Sequence, residues 1–352
     1  MCIRDRIIPP FYESLRTSID EVFPEFAADI RIPVLLRFGS WVGGDMDGNP
    51  NVSATTIRST LRRHRAQILG LYTRELREIG HVLSQSPYRI PISDAVTERV
   101  AAYTELFPDI EERIPPRHRL MPYRVLTPLI AARLEATAAD AEGGYDSAAD
   151  FIADLETIAD SLIENRGRHA GLFPVQRLIW RARTFGFHLA TLDVRQDSLV
   201  HRQAVGRGLG VPDWLELDSA ARTAAITEAL ADGRSPAPRL EHQDPVLEVF
   251  AAIAETRRRY GREAIGPYII SMSQGPDDVL SVLLLARWGG LVEEDGHIPL
   301  DVAPLFETVP DLKASRAIMG ELLADPGYGA HLDHRERRQI VMIGYSDSNK
   351  DA

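Results

Sequence analysis

The sequence predicts a helix-rich α/β fold, a partial TIM (β/α)8-type barrel carrying extra helices. Three observations predict it. Five short runs are mostly apolar or β-branched rather than strictly alternating, as strands buried on both faces are. Helix-periodic segments separate the runs, which points to parallel strands joined by helical crossovers. Polar and charged residues stand just after several runs, where a βα barrel collects its functional groups at one mouth.

The elements follow in chain order. Val34-Leu35-Leu36-Arg37-Phe38 is the first expected strand. Thr55 to Ser84 is the clearest helix: Ile57, Leu61, Ile68, Tyr72, Leu76, Ile79 and Leu83 form one apolar stripe, and Arg and Glu fill the other face. Ser53 or Thr55 can cap its start. Ala148 to Glu164 and Pro174 to Arg183 read as helices, as does Pro245 to Tyr260. The remaining expected strands are Phe187 to Val194, Tyr268 to Met272, Val302 to Phe306 and Ile340 to Gly344. Gly, Pro, Asp and Ser mark loops at Ala141 to Ser147 and Gly233 to Pro238. Gly206 to Asp244 reads as an excursion on the barrel exterior.

Composition bounds the function. A chain of 352 residues gives about two domains or one large α/β domain. Lys plus Arg is 40 against 51 for Asp plus Glu, a formal charge of -11, which excludes a general phosphate-backbone binder. No nucleic-acid partner is expected, though a local basic pocket for a small anion is compatible with this balance. No apolar run approaches the roughly 18–20 residues of a membrane span, so no membrane partner is expected either. The single cysteine, Cys2, rules out an intramolecular disulfide and fits a reducing compartment. Residues 1–6 have no apolar signal-peptide core and read as a sequence artefact. The polar end after Ile340 reads as the edge of a fragment.

Four clusters can carry chemistry. The first runs from Phe38 through Trp41, Gly43, Gly44, Asp45, Met46, Asp47, Gly48 and Asn49 to Pro50. It fails as a calcium loop, because Pro50 stands where Gly is needed and Thr56 where Glu is needed. It reads either as a rigid Gly/Asx turn or as a ligand loop. The second is Leu192-Asp193-Val194-Arg195-Gln196-Asp197-Ser198. Arg195 there suits a phosphate or carboxylate, or a structural pair with Asp193 or Asp197. The third is Pro304-Leu305-Phe306-Glu307-Thr308, and the fourth runs from Gly344 to Asp351 with Asp347 and Lys350. Two carboxylates, Glu307 and Asp347, after neighbouring strands suit Mg²⁺, which takes oxygen ligands and keeps waters. Singly, each also fits a surface or capping role. His331 and His334 are three apart and offer only a weak metal pair on an exposed helix or turn. No zinc-type His-Glu-x-x-His, P-loop or Gly-x-Ser-x-Gly elbow occurs.

Taken in order with Phe185-Gly186-Phe187 and Tyr268-Ile269-Ile270-Ser271-Met272, these clusters resemble phosphoenolpyruvate carboxylase of the bacterial type. The resemblance implies that residues 7–352 are the central part of a single barrel domain, holding its middle strands only. It implies an anaplerotic lyase that makes oxaloacetate and phosphate from phosphoenolpyruvate and bicarbonate with Mg²⁺ or Mn²⁺. By position, Glu307 and Asp347 match metal ligands, Arg195 and Lys350 match catalytic and substrate-binding cations, and Trp41 matches a substrate-loop residue. A homotetramer in the cytoplasm is implied as well. The chain departs at Met46, where the family usually has Arg, and at Asp197, where Glu is more usual. The family's catalytic His, glycine-rich His-Gly-Arg loop and effector site fall outside this sequence, so the isolated chain is expected to be inactive. Two other readings stand beside this one: an inactive structural fragment, and another Mg²⁺-dependent barrel enzyme acting on an enol phosphate or 2-oxo acid.

Overall fold

A computed structural model of the chain describes residues 3–26, 30–238 and 244–344, with side chains from residue 6 onward. Two compact units emerge. Unit 1 comprises Met1–Phe38 and Arg63–Ala190, and unit 2 comprises Gly39–Arg62 and Thr191–Ala352.

The described part of unit 1 is helical. Its elements are α1 (Ile3–Val22), most of α2 (Ala54–Val82), α3 (Asp94–Leu106), α4 (Pro108–Glu112), α5 (Pro122–Ala139), α6 (Ala148–Glu164) and α7 (Phe173–Phe185). The predicted stripe of the long helix is buried along its whole length, with Ile68, Tyr72, Leu76, Ile79 and Leu83 in the unit 1 core. Helix α6 begins where its capping box dictates: Ser147 Oγ accepts from Asp150 N–H, and Asp150 accepts from Ser147 N–H. Helix α5 turns apolar residues to nearly every side and runs through the core.

Unit 2 holds the sheet: β1 (Gly39–Ser40), β2 (Thr191–Asp197), β3 (Ile265–Ser271), β4 (Val302–Phe306) and β5 (Met342–Ile343). All pairings are parallel and the spatial order equals the chain order, so the sheet winds in one direction without reversal. The connections are helical: α8 (Ser198–Leu209), α9 (Ser219–Ala231) and α10 (Pro245–Tyr260) before β3, α11 (Pro276–Trp288) before β4, and α12 (Val309–Ala324) and α13 (Pro326–Asp333) before β5. One sheet face buries Leu192, Val194, Tyr268, Ile270 and Val302 among these helices. The other carries the small cluster of Ile269, Ala303 and Leu305, covered by Trp41, Ile340 and Met342.

Several expected elements shift. Val34 to Phe38 is not a strand. Leu35 N–H bonds to Tyr12 Oη instead (2.9 Å), and Leu35 is exposed. The expected strand from Phe187 begins only at Thr191, because Phe187 to Ala190 turn over the end of α7. It then continues to Asp197, so Arg195 lies in the strand. β3 starts three residues early, through Gly266 and Pro267. The register steps from Leu192↔Ile265 to Val194↔Tyr268, a bulge that tolerates the missing proline N–H. The stretch expected as an exterior excursion contains α9 and buries Trp214, Ile226 and Ala229 in the unit 2 core.

Candidate active site

The C-terminal ends of β2, β3 and β4 bring together residues from distant parts of the sequence. Beyond β1 the glycine-rich loop stays beside β2: Met46 N–H donates to Arg195 O and Arg195 N–H donates to Gly44 O, both at 2.9 Å. Asp45 and Asp47 therefore flank the Arg195 guanidinium. Arg195 Nη2 meets Asp47 Oδ2 at 2.6 Å and Nε meets Asp45 Oδ1 at 3.4 Å. Its guanidinium carbon also stands 5.4 Å from the Trp41 ring, within cation–π range. Burial pulls the arginine's pKa down, but the Asp47 hydrogen bond and the charges of Asp45, Asp47 and Glu307 outweigh that and hold it above the ordinary value.

Arg195 thus pairs with the loop aspartates, not with Asp193 or Asp197. Asp197 caps α8 through Leu199 N–H. Asp193 accepts from the Trp41 indole N–H at 3.2 Å and so orients that ring. Gly266 on β3 makes room for it, since a Cβ there would meet Asp193 Oδ1 at 2.1 Å. Burial raises the Asp193 carboxyl above its usual range, and the indole hydrogen bond offsets part of the rise. Met46, expected from the resemblance to be a departure, is only 8% exposed and packs in the unit 2 core.

Glu307 follows β4 directly and is 6% exposed. Its Oε2 accepts from Met272 N–H at 2.9 Å. Met272 adopts a left-handed φ of 54° just past β3, a backbone cost of roughly 1–3 kcal/mol for a non-glycine residue. Ser198 Oγ, bonded to Met272 O at 2.9 Å, helps hold that turn. Gly344, after β5, lies against Glu307: a Cβ there would meet Glu307 Cα at 3.0 Å. Asp347 and Lys350 lie outside the described residues. A buried carboxylate oriented by a backbone N–H is a donor suited to a hard divalent cation, so the part of the expected metal set that is described fits such an ion.

Sequence reasoning named Trp41, Arg195 and Glu307 as candidates but not the residues that position them. Asp45 and Asp47 were legible as part of a turn or ligand loop, with no sign that they pair with Arg195. Asp193 carried no signal of an indole partner 152 residues away. The Met272 N–H is a backbone group and leaves no residue signature.

The fold and site define an α/β protein with an arginine, aspartates and a buried glutamate at the C-terminal ends of parallel strands. The sequence model of the phosphoenolpyruvate carboxylase family matches residues 3–352, and the chain belongs to that family. A phosphoenolpyruvate carboxylase of Xanthomonas euvesicatoria pv. vesicatoria (strain 85-10) is 49% identical over 348 residues, covering 98% of this chain and 38% of the relative. Its counterpart in Rhodopseudomonas palustris (strain HaA2) is 38% identical over 344 residues, covering 92% and 36%. That of Bradyrhizobium diazoefficiens is 35% identical over 365 residues, covering 98% and 38%. The chain therefore spans 38% or less of the length of these curated relatives. No helix among the described residues is long and apolar enough to cross a membrane.

Proposed function

We propose that the complete protein converts phosphoenolpyruvate and bicarbonate to oxaloacetate and phosphate. Beyond family membership, one observation carries this reading: Arg195 and Glu307, on strands flanking β3, lie within electrostatic range of each other at the strand ends. An acidic protein needs such a local cation to hold a substrate bearing both phosphate and carboxylate. The sheet's single direction of winding supports a (β/α)8 barrel, with these five strands as part of it.

In this reading Glu307 and Asp347 hold Mg²⁺ or Mn²⁺. Bound there, the ion supplies a Lewis acid for negative charge developing on the enol oxygen. Arg195 binds phosphoryl oxygens, exchanging part of its contact with Asp47 for the substrate, and Lys350 adds a second cation. Bicarbonate oxygen attacks phosphorus and the bond from phosphorus to the enol oxygen breaks, giving carboxyphosphate and the enolate of pyruvate. Carboxyphosphate releases CO₂ and phosphate, and the enolate carbon captures the CO₂. Trp41, fixed by Asp193, shields this space from water that would otherwise protonate the enolate to pyruvate. The same family reading carries a homotetramer and a cytoplasmic location, which sedimentation and cell fractionation test.

The deciding experiment measures oxaloacetate, coupled to malate dehydrogenase, for the full-length protein with and without bicarbonate and Mg²⁺. Activity requiring both is expected. A folded, metal-loaded protein that makes none, or that acts on phosphoenolpyruvate without bicarbonate, overturns the reading. Asp347→Asn should abolish activity while the fold persists, and unchanged activity would remove the metal assignment.

A further inference from the structure

At the opposite end of the sheet, before β4 and β5, lies a second set of donor atoms. Asp295 and His297 sit in the turn between α11 and β4, and His334 ends α13 ahead of β5. One ligand atom from each of the three lies within 4.8 Å of the others. His297 Nδ1 is 2.5 Å from Asp295 Oδ1, and His334 Nδ1 is 3.9 Å from Asp295 Oδ2. The two imidazoles stack with centroids 4.6 Å apart and planes 3° from parallel.

We propose that Asp295, His297 and His334 form a transition-metal site of the zinc class, independent of the Glu307 region and of the activity proposed above. Two imidazoles and one carboxylate, with a fourth position left to solvent, are a zinc donor set. Nitrogen donors select Zn²⁺, Co²⁺ or Ni²⁺ and disfavour Mg²⁺, which separates this site chemically from the oxygen-only site at the strand C-termini. Ligands about 2.0–2.1 Å from a tetrahedral zinc are roughly 3.3 Å apart. His297 Nδ1 lies closer than that to Asp295 Oδ1, at 2.5 Å, and His334 Nδ1 lies farther from Asp295 Oδ2, at 3.9 Å. His334 and Asp295 are half-exposed, so their side chains are free to rotate, and metal binding would turn the imidazoles out of their parallel stack so that both nitrogens face one ion. The backbone carrying them is already tied together. Asp301, just before β4, accepts from Arg335, just after His334, at 2.6 and 2.9 Å. Sequence spacing pointed to His331 with His334. The fold instead buries His331 against Tyr328 and turns His334 to His297. The metal would clip the two strand-preceding connections to each other.

The test uses full-length protein in excess Mg²⁺, with Zn²⁺ affinity measured by competition with a chromophoric chelator and Co²⁺ followed by visible absorption. One zinc equivalent that Mg²⁺ does not displace is expected, with a tetrahedral cobalt spectrum and a rise in Tm. His297→Ala and His334→Ala should each weaken zinc at least about tenfold, abolish the Tm rise and leave both the metal-free melt and the activity unchanged. Glu307→Gln should leave zinc binding intact. Wild-type protein that retains no zinc overturns the proposal. So does equal retention by the His297→Ala/His334→Ala double variant, or loss of zinc in Glu307→Gln alone.

Discussion

Asp154 in unit 1 and Asp47 in unit 2 each hold an arginine, but their surroundings differ. Asp154 is fully buried and accepts from Tyr103 Oη at 2.8 and 2.9 Å, from Tyr145 Oη at 2.5 Å and from Arg99. Arg133 stands 3.7 Å away, with its guanidinium over the Tyr145 and Tyr103 rings. The Asp154 carboxylate is sealed, although its partner Arg99 keeps 33% of its side-chain surface exposed. Asp47 and Arg195 keep about a fifth of their side-chain surface open at a strand end. A sealed, satisfied network specifies packing. An accessible one lets an incoming anion compete for the arginine. In the proposed reading, similar residue types thus serve the fold in one unit and a ligand in the other, and burial of the carboxylate makes the difference.

The largest expected effect comes from breaking the sealed network. Asp154→Ala removes the carboxylate shared by two arginines and two tyrosine hydroxyls, and should cost about 3–5 kcal/mol in urea unfolding. A loss below 1 kcal/mol would mean that Asp154 is not the anchor of unit 1. Arg195→Gln should do the reverse. It is expected to lower kcat/KM of the full-length enzyme by about 10²–10³ while changing stability by no more than about 1 kcal/mol. A large loss of stability with kcat/KM retained would erase the contrast between the units.

The smallest effect per residue is set by pH. His201 and His331, both in unit 2, are buried neutral. Burial first, then a neighbouring arginine, pushes them from 6.5 down to about 3 and about 4. His201 Nε2 pairs with Tyr268 Oη at 2.9 Å. The unfolded chain binds protons below pH 6.5 that the native state refuses, so stability is complete above pH 6.5 and falls as pH drops toward those values. Each histidine should remove about 2 kcal/mol between pH 7 and pH 5. Denaturant melts at the two pH values should show this drop halved in His201→Gln. Peptide-level hydrogen exchange should show unit 2 loosening first, and faster loosening of unit 1 would reassign the acid-sensitive element.

Much of the fold was legible because its signals are local. Helices Ala148–Glu164 and Pro245–Tyr260 and strand Val302–Phe306 fall on the residues their caps and apolar runs indicate. Asp244, for example, accepts from Val246 N–H with Pro245 behind it, a complete helix start within three residues. Trp41, Arg195 and Glu307 stood out as candidates because each lies in or just after an apolar run and in a stretch resembling a family motif. Val34 to Phe38 misled because strand formation needs a partner, and residues 187–190 turn over a helix end instead of extending beside it.

The sequence by itself therefore determined the helix-rich α/β class, the parallel strands and the family, since period, caps and motifs are written in neighbouring residues. The tertiary structure alone decided which charges meet. Arg195 chose Asp47 over Asp193 and Asp197, Asp193 took the Trp41 indole, and His334 turned from His331 to His297. Those choices depend on strand register and on burial, which arise only when segments distant in the sequence pack together.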